Sequence, residues 1–405
     1  AHRSRRCGGT QIVSRSSPPF PPRGKQSGAG KIPRRFFALD RRRAAAGEEA
    51  EKSRQITSIR EYIDLIPESR YGPIDLDAFP FQAFPFYSDE IALAEEVVYM
   101  KSTQIGASTG IFRWAIHRAD QFGERVIYFF PTKTDVTDFS DTRVETSIKA
   151  SEYLRSRIPA DNVRRKTLKQ IGLGAISFRG MMSRASVQSI DGDAIVIDEY
   201  DDCDEGNIAQ AERRLSGAEG AGRIARVRRL GRPSVPGYGI DLAFQQSDQR
   251  VWMVTCPKCG DVQELTWEEN VRWTTIEGEE KVLRPGRDRY QTVKDVEEAW
   301  RACRRCDTSL EPANGQKRGP IHDGRWEAKF PGKSRRPIGF HMPRLIVPSK
   351  NLRQIVAASR ATKMAEVEAF YNADLGIAWA AADASLTDKD LDFNASASEV
   401  YGTNV

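Results

Sequence analysis

The sequence predicts an α/β fold with a mostly parallel sheet, and three observations support this prediction. A continuous apolar run at residues 125–130 suits a strand that is buried on both faces, and residues 193–199, apolar at their centre, form the clearest strand of the chain. Stretches of helical periodicity alternate with these runs, which is typical of α/β architectures. Residues 97–121 read as an apolar strand, a turn of small and polar residues, and then a helix.

Length and composition suit two or three domains and exclude a membrane-spanning protein. The chain has 405 residues, of which 39% are hydrophobic, and it contains no run of about 18 apolar residues. The net charge is +6, but residues 1–47 hold twelve Lys and Arg residues against one acid. We expect residues 1–52 to form a disordered basic tail. An organelle transit peptide and a DNA-contacting arm remain alternatives for this tail.

Periodicity predicts the remaining elements. Isoleucines spaced three to four apart predict one amphipathic helix over residues 53–70. The other predicted elements are a helix at 90–95, a helix at 135–157, a strand at 175–178 and helix over much of 337–380, notably 351–372. Residues 240–330 contain strand-like segments, many turn residues and four cysteines.

The turn at residues 102–107 has the sequence character of a phosphate-binding loop. A turn between a strand and a helix can wrap its N–H groups around phosphates while the helix dipole points at them. The standard pattern G-x-x-x-x-G-K-[ST] is not met, because Ala107 stands where the lysine belongs and a lysine occurs earlier, at Lys101. Two interpretations stay open on this stretch alone: a phosphate loop with a displaced lysine, or an ordinary strand–turn–helix corner.

The strand at 193–199 ends in two adjacent acids, Asp198 and Glu199. In phosphate-loop ATPases an apolar strand beside the loop's own strand delivers such a pair. The first acid holds Mg²⁺ and the second activates the attacking water. Ser108 is then the Mg²⁺-coordinating hydroxyl. The simpler alternatives are a strand that exits to solvent on polar residues and a serine that caps its helix.

Two C-x-x-C pairs predict a tetrahedral zinc site with four sulfur ligands. Its ligands are Cys256, Cys259, Cys303 and Cys306. A site closed by four thiolates leaves no open position, so we expect a structural role. Disulfides are the alternative, although the absence of a secretion signal favours a reducing compartment.

Five arginines fall within residues 223–232. Solvated charge is the simpler interpretation of this run, and a strip that contacts the DNA backbone is the other. Arg226, Arg228 and Arg229 are also candidates for an arginine that acts on a neighbouring subunit.

The order of these motifs resembles the large terminase subunit of lambda-type tailed phages. The loop with its early lysine, the strand ending at Pro131-Thr132, the acidic strand and the Cys256–Cys259 pair occur in the same order. Pro80-Phe81-Gln82 resembles an upstream element of the family whose glutamine is expected near the adenine. Pro233-Ser234 resembles a segment that couples hydrolysis to motion. The resemblance runs from about residue 53 to 380.

The resemblance implies a phosphate-loop ATPase core that uses ATP and Mg²⁺ to move double-stranded DNA in a packaging motor. It assigns catalytic roles to Lys101, Asp198 and Glu199, and Mg²⁺ binding to Ser108 and Asp198. The expected nucleotide contacts are Gln82, Lys101, Ser102, Thr103, Gln104, Ile105, Gly106, Ala107, Ser108 and Thr109. The implied partners are the small terminase subunit, the portal or procapsid and further copies of the chain in a ring, in the host bacterial cytoplasm and without a membrane.

The sequence departs from the family pattern in three ways. The family commonly has an arginine where Gln104 stands and can have a lysine where Thr109 stands, and the segment around Gly231-Arg232-Pro233 is irregular. Only residues 380–405 follow Trp379, so we expect no nuclease activity from this chain. The expected domains are a tail at 1–52, the ATPase core at 53–240, a zinc-ribbon-like insertion at 241–335, a helical part at 336–385 and a tail at 386–405.

Two other functions remain open at this point. One is a different DNA-stimulated translocase or helicase. The other is a non-catalytic zinc-ribbon module that binds nucleic acid and carries a decayed ATPase fold.

Overall fold

The computed structural model describes ten segments of the chain. They are residues 55–66, 68–69, 72–159, 165–188, 191–220, 222–275, 296–313, 315–332, 337–348 and 352–381. The predicted tails at 1–52 and 386–405 lie outside the described residues.

A ten-stranded sheet runs through the described chain and is accompanied by two separate strand pairs, β1–β2 and β11–β12. The strands are β1 (Glu68–Ser69), β2 (Gly72–Pro73), β3 (Glu96–Lys101), β4 (Arg125–Phe130), β5 (Leu168–Ile171), β6 (Gly174–Gly180), β7 (Ala194–Asp198), β8 (Arg226–Gly231), β9 (Arg250–Thr255), β10 (Val262–Glu264), β11 (Val271–Thr275), β12 (Val296–Arg301), β13 (Arg325–Ala328) and β14 (Ile338–Met342). The order is β10-β9-β14-β3-β8-β7-β4-β6-β5, with β13 also on β9. Strands from β9 to β6 pair in parallel, whereas β5, β10 and β13 pair antiparallel.

Short helices and one long helix flank the sheet. The α-helices are α1 (Ile59–Ile63), α2 (Ala83–Tyr87), α3 (Asp89–Leu93), α4 (Ala107–Phe122), α5 (Lys133–Phe139), α6 (Glu145–Ala150), α7 (Glu152–Arg157), α8 (Arg184–Gln188), α9 (Glu205–Glu212), α10 (Ser216–Gly220), α11 (Gly239–Gln246), α12 (Trp267–Asn270), α13 (Leu352–Ala358) and α14 (Met364–Ala369). Two π-helical turns follow α5 and α14, at Ser140–Val144 and Phe370–Leu375. None of the helices in the described segments has the length and apolar character that crossing a bilayer requires.

The central strands are apolar along their whole length because both faces of the sheet are covered. In β4, Val126 and Tyr128 pack into the larger core with α4, while Ile127 and Phe129 pack into a second core with α9 on the opposite face. A parallel strand covered on both sides reads as a continuous hydrophobic run instead of an alternating one. The predicted α/β class with a mostly parallel sheet is therefore confirmed.

Three helix predictions were wrong in extent. The helix expected at 135–157 contains a π-helical turn at Ser140–Val144 and is broken by the extended backbone of Ser151. Residues 53–70 do not form one helix, because α1 begins only after its N-cap Ser58 and ends at Ile63. Residues 337–380 do not begin as helix, because residues 338–342 form β14 and pair in parallel with β3. The helix expected at 351–372 is divided into α13, α14 and a π-helical turn.

The solvent exposure predicted for the arginine run was also wrong for its central part, because residues 226–231 form an interior strand. β8 lies between β3 and β7 and pairs with both in parallel. Arg228 is fully buried, with its guanidinium 4.3 Å from the Trp114 ring and its N–H groups directed at the carbonyls of Ile91 and Ala94. Arg226 is buried against Glu124. Because Arg226 and Arg228 are buried, they cannot form a solvated strip or contact DNA. For the same reason they cannot act on a neighbouring subunit.

β8 also changes the expected strand order. The acidic strand was expected beside the strand of the loop, but β8 separates β7 from β3. The residues 241–335 contribute β9, β10 and β13 to the main sheet, and β9 joins it next to β14. The domain boundaries themselves stay a prediction.

Candidate nucleotide and metal sites

The loop between β3 and α4 has the backbone geometry of a tight turn before a helix. Gly106 precedes α4 with φ 87°, and Gln104 also has positive φ, at 57°. Gln82 Nε2 donates to Ile105 O at 2.8 Å and would lie 2.7 Å from a Cβ at position 106. Glycine is therefore required at 106 by both backbone conformation and close approach. The N-terminus of α4 opens at the carboxyl edge of the sheet, where ligands bind in α/β folds.

The start of the loop is attached to the C-terminal part of the described chain. Ser102 N donates to Met342 O at 2.9 Å, and Thr103 N donates to Ala373 O at 2.8 Å. Arg344 Nη2 donates to Thr103 Oγ1 at 2.6 Å, and Arg344 also pairs with Asp374. The N–H groups of Ser102 and Thr103 are thus engaged with protein carbonyls, and the Ile105 side chain is buried in the core.

The acidic strand brings a buried carboxylate to the same edge. Tyr128 Oη donates to Asp198 Oδ2 at 3.0 Å, and the Ser108 side chain also hydrogen-bonds this carboxylate. Burial and the neighbouring Glu199 raise the pKa of Asp198 to about 6, against the opposing effect of Lys101. Ser108 and Asp198, far apart in sequence, are therefore in contact at the sheet edge.

Glu199 occupies a conformation that is rare for a residue with a side chain. Its φ and ψ are 51° and 58°, in the left-handed region. Such strained positions cluster at functional sites. The conformation directs the carboxylate towards β3, where Lys101 Nζ lies 3.0 Å from Glu199 Oε1. Lys101 is 6% exposed at its side chain and Glu199 is 41% exposed, so the pair lies at the opening of the site.

One residue of the candidate site, Arg143, was not predicted from the sequence. Arg143 Nη1, in the π-helical turn after α5, donates to Thr109 Oγ1 at 2.8 Å. Thr109 belongs to the first turn of α4, so Arg143 reaches the helix N-terminus from another element. No motif or spacing in the sequence joins positions 109 and 143.

The segment predicted to couple hydrolysis to motion contacts the exit of the acidic strand. Ser234 N and Oγ both donate to Asp201 Oδ2, at 2.9 and 2.7 Å. Ser234 O in turn accepts a hydrogen bond from Trp379 N at 3.0 Å. Residue 234 therefore connects the acidic strand with the C-terminal part of the described chain.

The four predicted zinc ligands come together. All four sulfur atoms lie within 4.8 Å of one another, with Cys256 Sγ to Cys306 Sγ at 3.6 Å and Cys259 Sγ to Cys303 Sγ at 3.7 Å. A tetrahedral ion with bonds of about 2.3 Å to sulfur requires sulfur separations near 3.8 Å, while a disulfide requires about 2.05 Å. The cysteines are free thiols, so the arrangement fits a metal and not the disulfide alternative.

The loops that carry the cysteines are two equivalent turns. Gly260 N donates to Cys256 O, and Asp307 N donates to Cys303 O, at 3.0 and 2.9 Å. Gly260 and Asp307, which follow the second cysteine of each pair, both have positive φ, at 73° and 63°. Gln263 Nε2 donates to Cys303 Sγ at 3.2 Å, as a donor to a thiolate ligand does.

The α/β fold and the turn between β3 and α4 place the chain in the class of phosphate-loop ATPase cores. The sequence model of "Phage terminase large subunit gpA, ATPase domain" matches residues 69–326. The chain belongs to this family, which confirms the resemblance to large terminase subunits. No curated protein matches the chain.

The solved structures that match parts of the chain include large terminases. The large terminase of a thermophilic bacteriophage is 16% identical with a TM-score of 0.30, and the match covers 40% of each chain. The HK97 bacteriophage large terminase is 12% identical with a TM-score of 0.37, covering 46% of this chain and 40% of that one. The ATPase domain of the Thermus phage P74-26 large terminase is 14% identical with a TM-score of 0.33, covering 51% of this chain and 81% of that domain. The match thus spans about two fifths of the length of the first two terminases.

Proposed function

We propose that the chain is the ATP-hydrolysing motor subunit that drives viral DNA into a procapsid. Family membership supports this proposal, and one observation about the site carries it. Lys101 pairs with Glu199, Ser108 hydrogen-bonds Asp198, and the two acids are adjacent, so a lysine, a hydroxyl and two carboxylates lie together near the N-terminus of α4. This is the set of groups that phosphoryl transfer needs.

Each residue of the site has a separate role in ATP hydrolysis. Lys101 and the N–H groups at the start of α4 hold the phosphates. Ser108 and Asp198 hold Mg²⁺, which offsets phosphate charge when it is bound. Glu199 accepts the proton of the attacking water. Since Lys101 and Glu199 are paired in this structure, phosphate binding by Lys101 releases the Glu199 carboxylate for its role as a base.

The cysteine cluster binds one structural Zn²⁺ ion. The four thiolates complete its coordination shell, so it takes no part in catalysis. The ion joins the turn after β9 to the turn after β12 and thereby fixes the β11–β12 pair beside the main sheet.

The remaining assignments follow from the family. The partners of the chain are double-stranded DNA, the small terminase subunit, the portal of the procapsid and further copies of the chain in a ring, in the cytoplasm of the bacterial host. Pro233-Ser234 couples hydrolysis to movement, and Gln82 lies at the adenine end of the nucleotide.

Substitution of the base tests the ATPase proposal. Glu199→Gln should bind ATP at least as well as the wild type, because Lys101 is released, and should hydrolyse it at least about 100-fold more slowly. Glu61→Gln, on the exposed face of α1, serves as the control and should keep both properties. DNA-stimulated hydrolysis by Glu199→Gln at a near-normal rate would overturn the assignment. A wild-type chain that neither binds nor hydrolyses ATP would favour a non-catalytic zinc-ribbon module, and duplex unwinding would favour a helicase.

A further inference from the structure

Arg143 lies beside the proposed ATPase site, and the role inferred for it rests on the proposed ATPase function. The guanidinium of Arg143 contacts Thr109 Oγ1 at 2.8 Å, directly beside Ser108 in the first turn of α4. It is brought there by a π-helical turn, Ser140–Val144, that interrupts the helical stretch between α5 and α6. Single π-helical turns are rare and often occur at functional sites, because they redirect one side chain out of its regular helical position.

Arg143 differs from the other arginines near the sheet in its partners. Several of these pair with a carboxylate: Arg118 and Arg226 with Glu124, Arg229 with Glu96 and Glu212, and Arg344 with Asp374. Within the part of the chain that the structure describes, Arg143 forms no ion pair. It also lies 5.8 Å from the Phe139 ring and near enough to Tyr128 to act on it electrostatically, and one of its five N–H donors reaches Thr109. A half-buried guanidinium without an anion is suited to receive one from a ligand.

The loop itself supplies little positive charge. Positions 104 and 107 hold glutamine and alanine, and Lys101 approaches from the end of β3, next to Glu199. Thr109 lies one residue beyond the proposed Mg²⁺ ligand Ser108, in the first turn of α4. In phosphate loops the lysine reaches the outer phosphates, while the groups at the helix start hold the inner ones.

We propose that Arg143 binds the inner phosphates of the nucleotide, the two that ADP and ATP share, with its guanidinium fork. Lys101, from the end of β3, and Arg143, from the π-helical turn after α5, then both contact the phosphate chain. Arg143 replaces, from outside the loop, the second cation that the loop sequence does not supply.

Calorimetric titration of the whole chain with ADP and with the non-hydrolysable analogue AMP-PNP tests this inference. Arg143→Ala should raise the Kd of both nucleotides by about tenfold or more, as expected for loss of a charge-assisted hydrogen bond. Arg143→Lys should recover part of the affinity. Arg155→Ala is the matched control, because it removes an exposed arginine from the neighbouring helix α7 and should leave both Kd values unchanged. Lys101→Ala should weaken AMP-PNP binding more than ADP binding.

Arg143→Met retains a long side chain beside Phe139. It therefore separates the effect of losing the charge from the effect of losing packing. Its thermal unfolding midpoint should match that of the wild type while its affinity falls like that of Arg143→Ala. Unchanged affinity in folded Arg143 variants, or a loss limited to AMP-PNP, would overturn this inference and leave the ATPase proposal intact. If the wild-type chain bound neither nucleotide, both would fail.

Discussion

Lys101 Nζ lies 3.0 Å from Glu199 Oε1, so the proposed phosphate-binding cation and the proposed base neutralise each other. The Glu199 side chain is 41% exposed, so solvent weakens its attraction to Lys101. A nucleotide carries several negative charges and therefore competes well with one carboxylate for Lys101. The pair is weak enough to open whenever nucleotide binds.

Replacement of Lys101 tests the displaced lysine of the loop. Lys101→Ala should raise the Kd for ATP by about tenfold or more, because a charge-assisted contact to phosphate is lost. Equilibrium binding measures the change, and Lys149→Ala, at an exposed position of α6, is the control. Unchanged affinity would show that the loop does not use Lys101.

Tyr128 should set the Mg²⁺ requirement through its hydrogen bond to Asp198. Tyr128→Phe removes only the hydroxyl and leaves Asp198 Oδ2 less restrained. We expect the Mg²⁺ concentration for half-maximal ATP hydrolysis to rise about three- to tenfold, with a smaller change in the rate at saturating Mg²⁺. Tyr153→Phe is a matched control, because it removes a tyrosine–aspartate bond of the same kind at Asp120. Equal Mg²⁺ titrations of wild type and Tyr128→Phe would refute this role.

Zinc should be present at one ion per chain and should stabilise the fold. Elemental analysis of protein purified without chelator should give this ratio, and Cys303→Ser should lower it and reduce the thermal unfolding midpoint. Cys203→Ala is the control, because Cys203 is buried away from the cluster and should not affect zinc content. Absence of stoichiometric metal from the folded wild type would rule the site out.

His117 should make stability depend on pH. Burial lowers the pKa of His117 from 6.5 to about 4, and its Nε2 lies 2.9 Å from Ile56 O. The unfolded chain binds a proton below pH 6.5 while the folded chain does not, so the contribution is complete above pH 6.5 and is lost as the pH falls towards 4. At pH 5 the loss is about 2 kcal/mol.

Chemical denaturation of wild type and His117→Gln at pH 8 and pH 5 measures this contribution. The glutamine retains a donor for Ile56 O, so the variant should lose about 2 kcal/mol less between the two pH values. The prediction fails if both proteins show the same pH dependence.

Arg228 should be a strong contributor to stability although it has no acidic partner among the described residues. Its guanidinium donates to the backbone carbonyls that end α3, including those of Ile91 and Ala94. Arg228→Met leaves these buried carbonyls unsatisfied and should reduce the free energy of unfolding by about 2–4 kcal/mol. Arg232→Met, at an exposed position of the same run, should change it by less than about 0.5 kcal/mol. A small effect at position 228 would mean that water satisfies the carbonyls.

Features that depend on local spacing could be predicted from the sequence. The strand, turn and helix at 96–122 and the four cysteines are encoded by neighbouring residues, and the structure has them where they were expected. Glycine and aspartate are residue types that favour turns, which agrees with the positive φ of Gly260 and Asp307.

Features that depend on tertiary contacts could not be predicted. An arginine-rich segment indicates solvent exposure, whereas distant partners allow this one to be an interior strand: backbone carbonyls for Arg228 and carboxylates for Arg226 and Arg229. The position of β8 between β3 and β7 and the pairing of β14 with β3 are matters of topology. The contact between Arg143 and Thr109 arises from a π-helical turn, which leaves no periodic signature.

The pairing of β3 with β14 has a consequence for synthesis on the ribosome. β3 is synthesised about 240 residues before the strand that covers one of its edges, so this edge stays open while those residues are made. Open strand edges promote wrong pairing between nascent chains. The carbonyls of Met342 and Ala373, which accept hydrogen bonds from Ser102 and Thr103, are also made after the loop. The loop between β3 and α4 therefore reaches its folded arrangement only after residue 373 has left the ribosome.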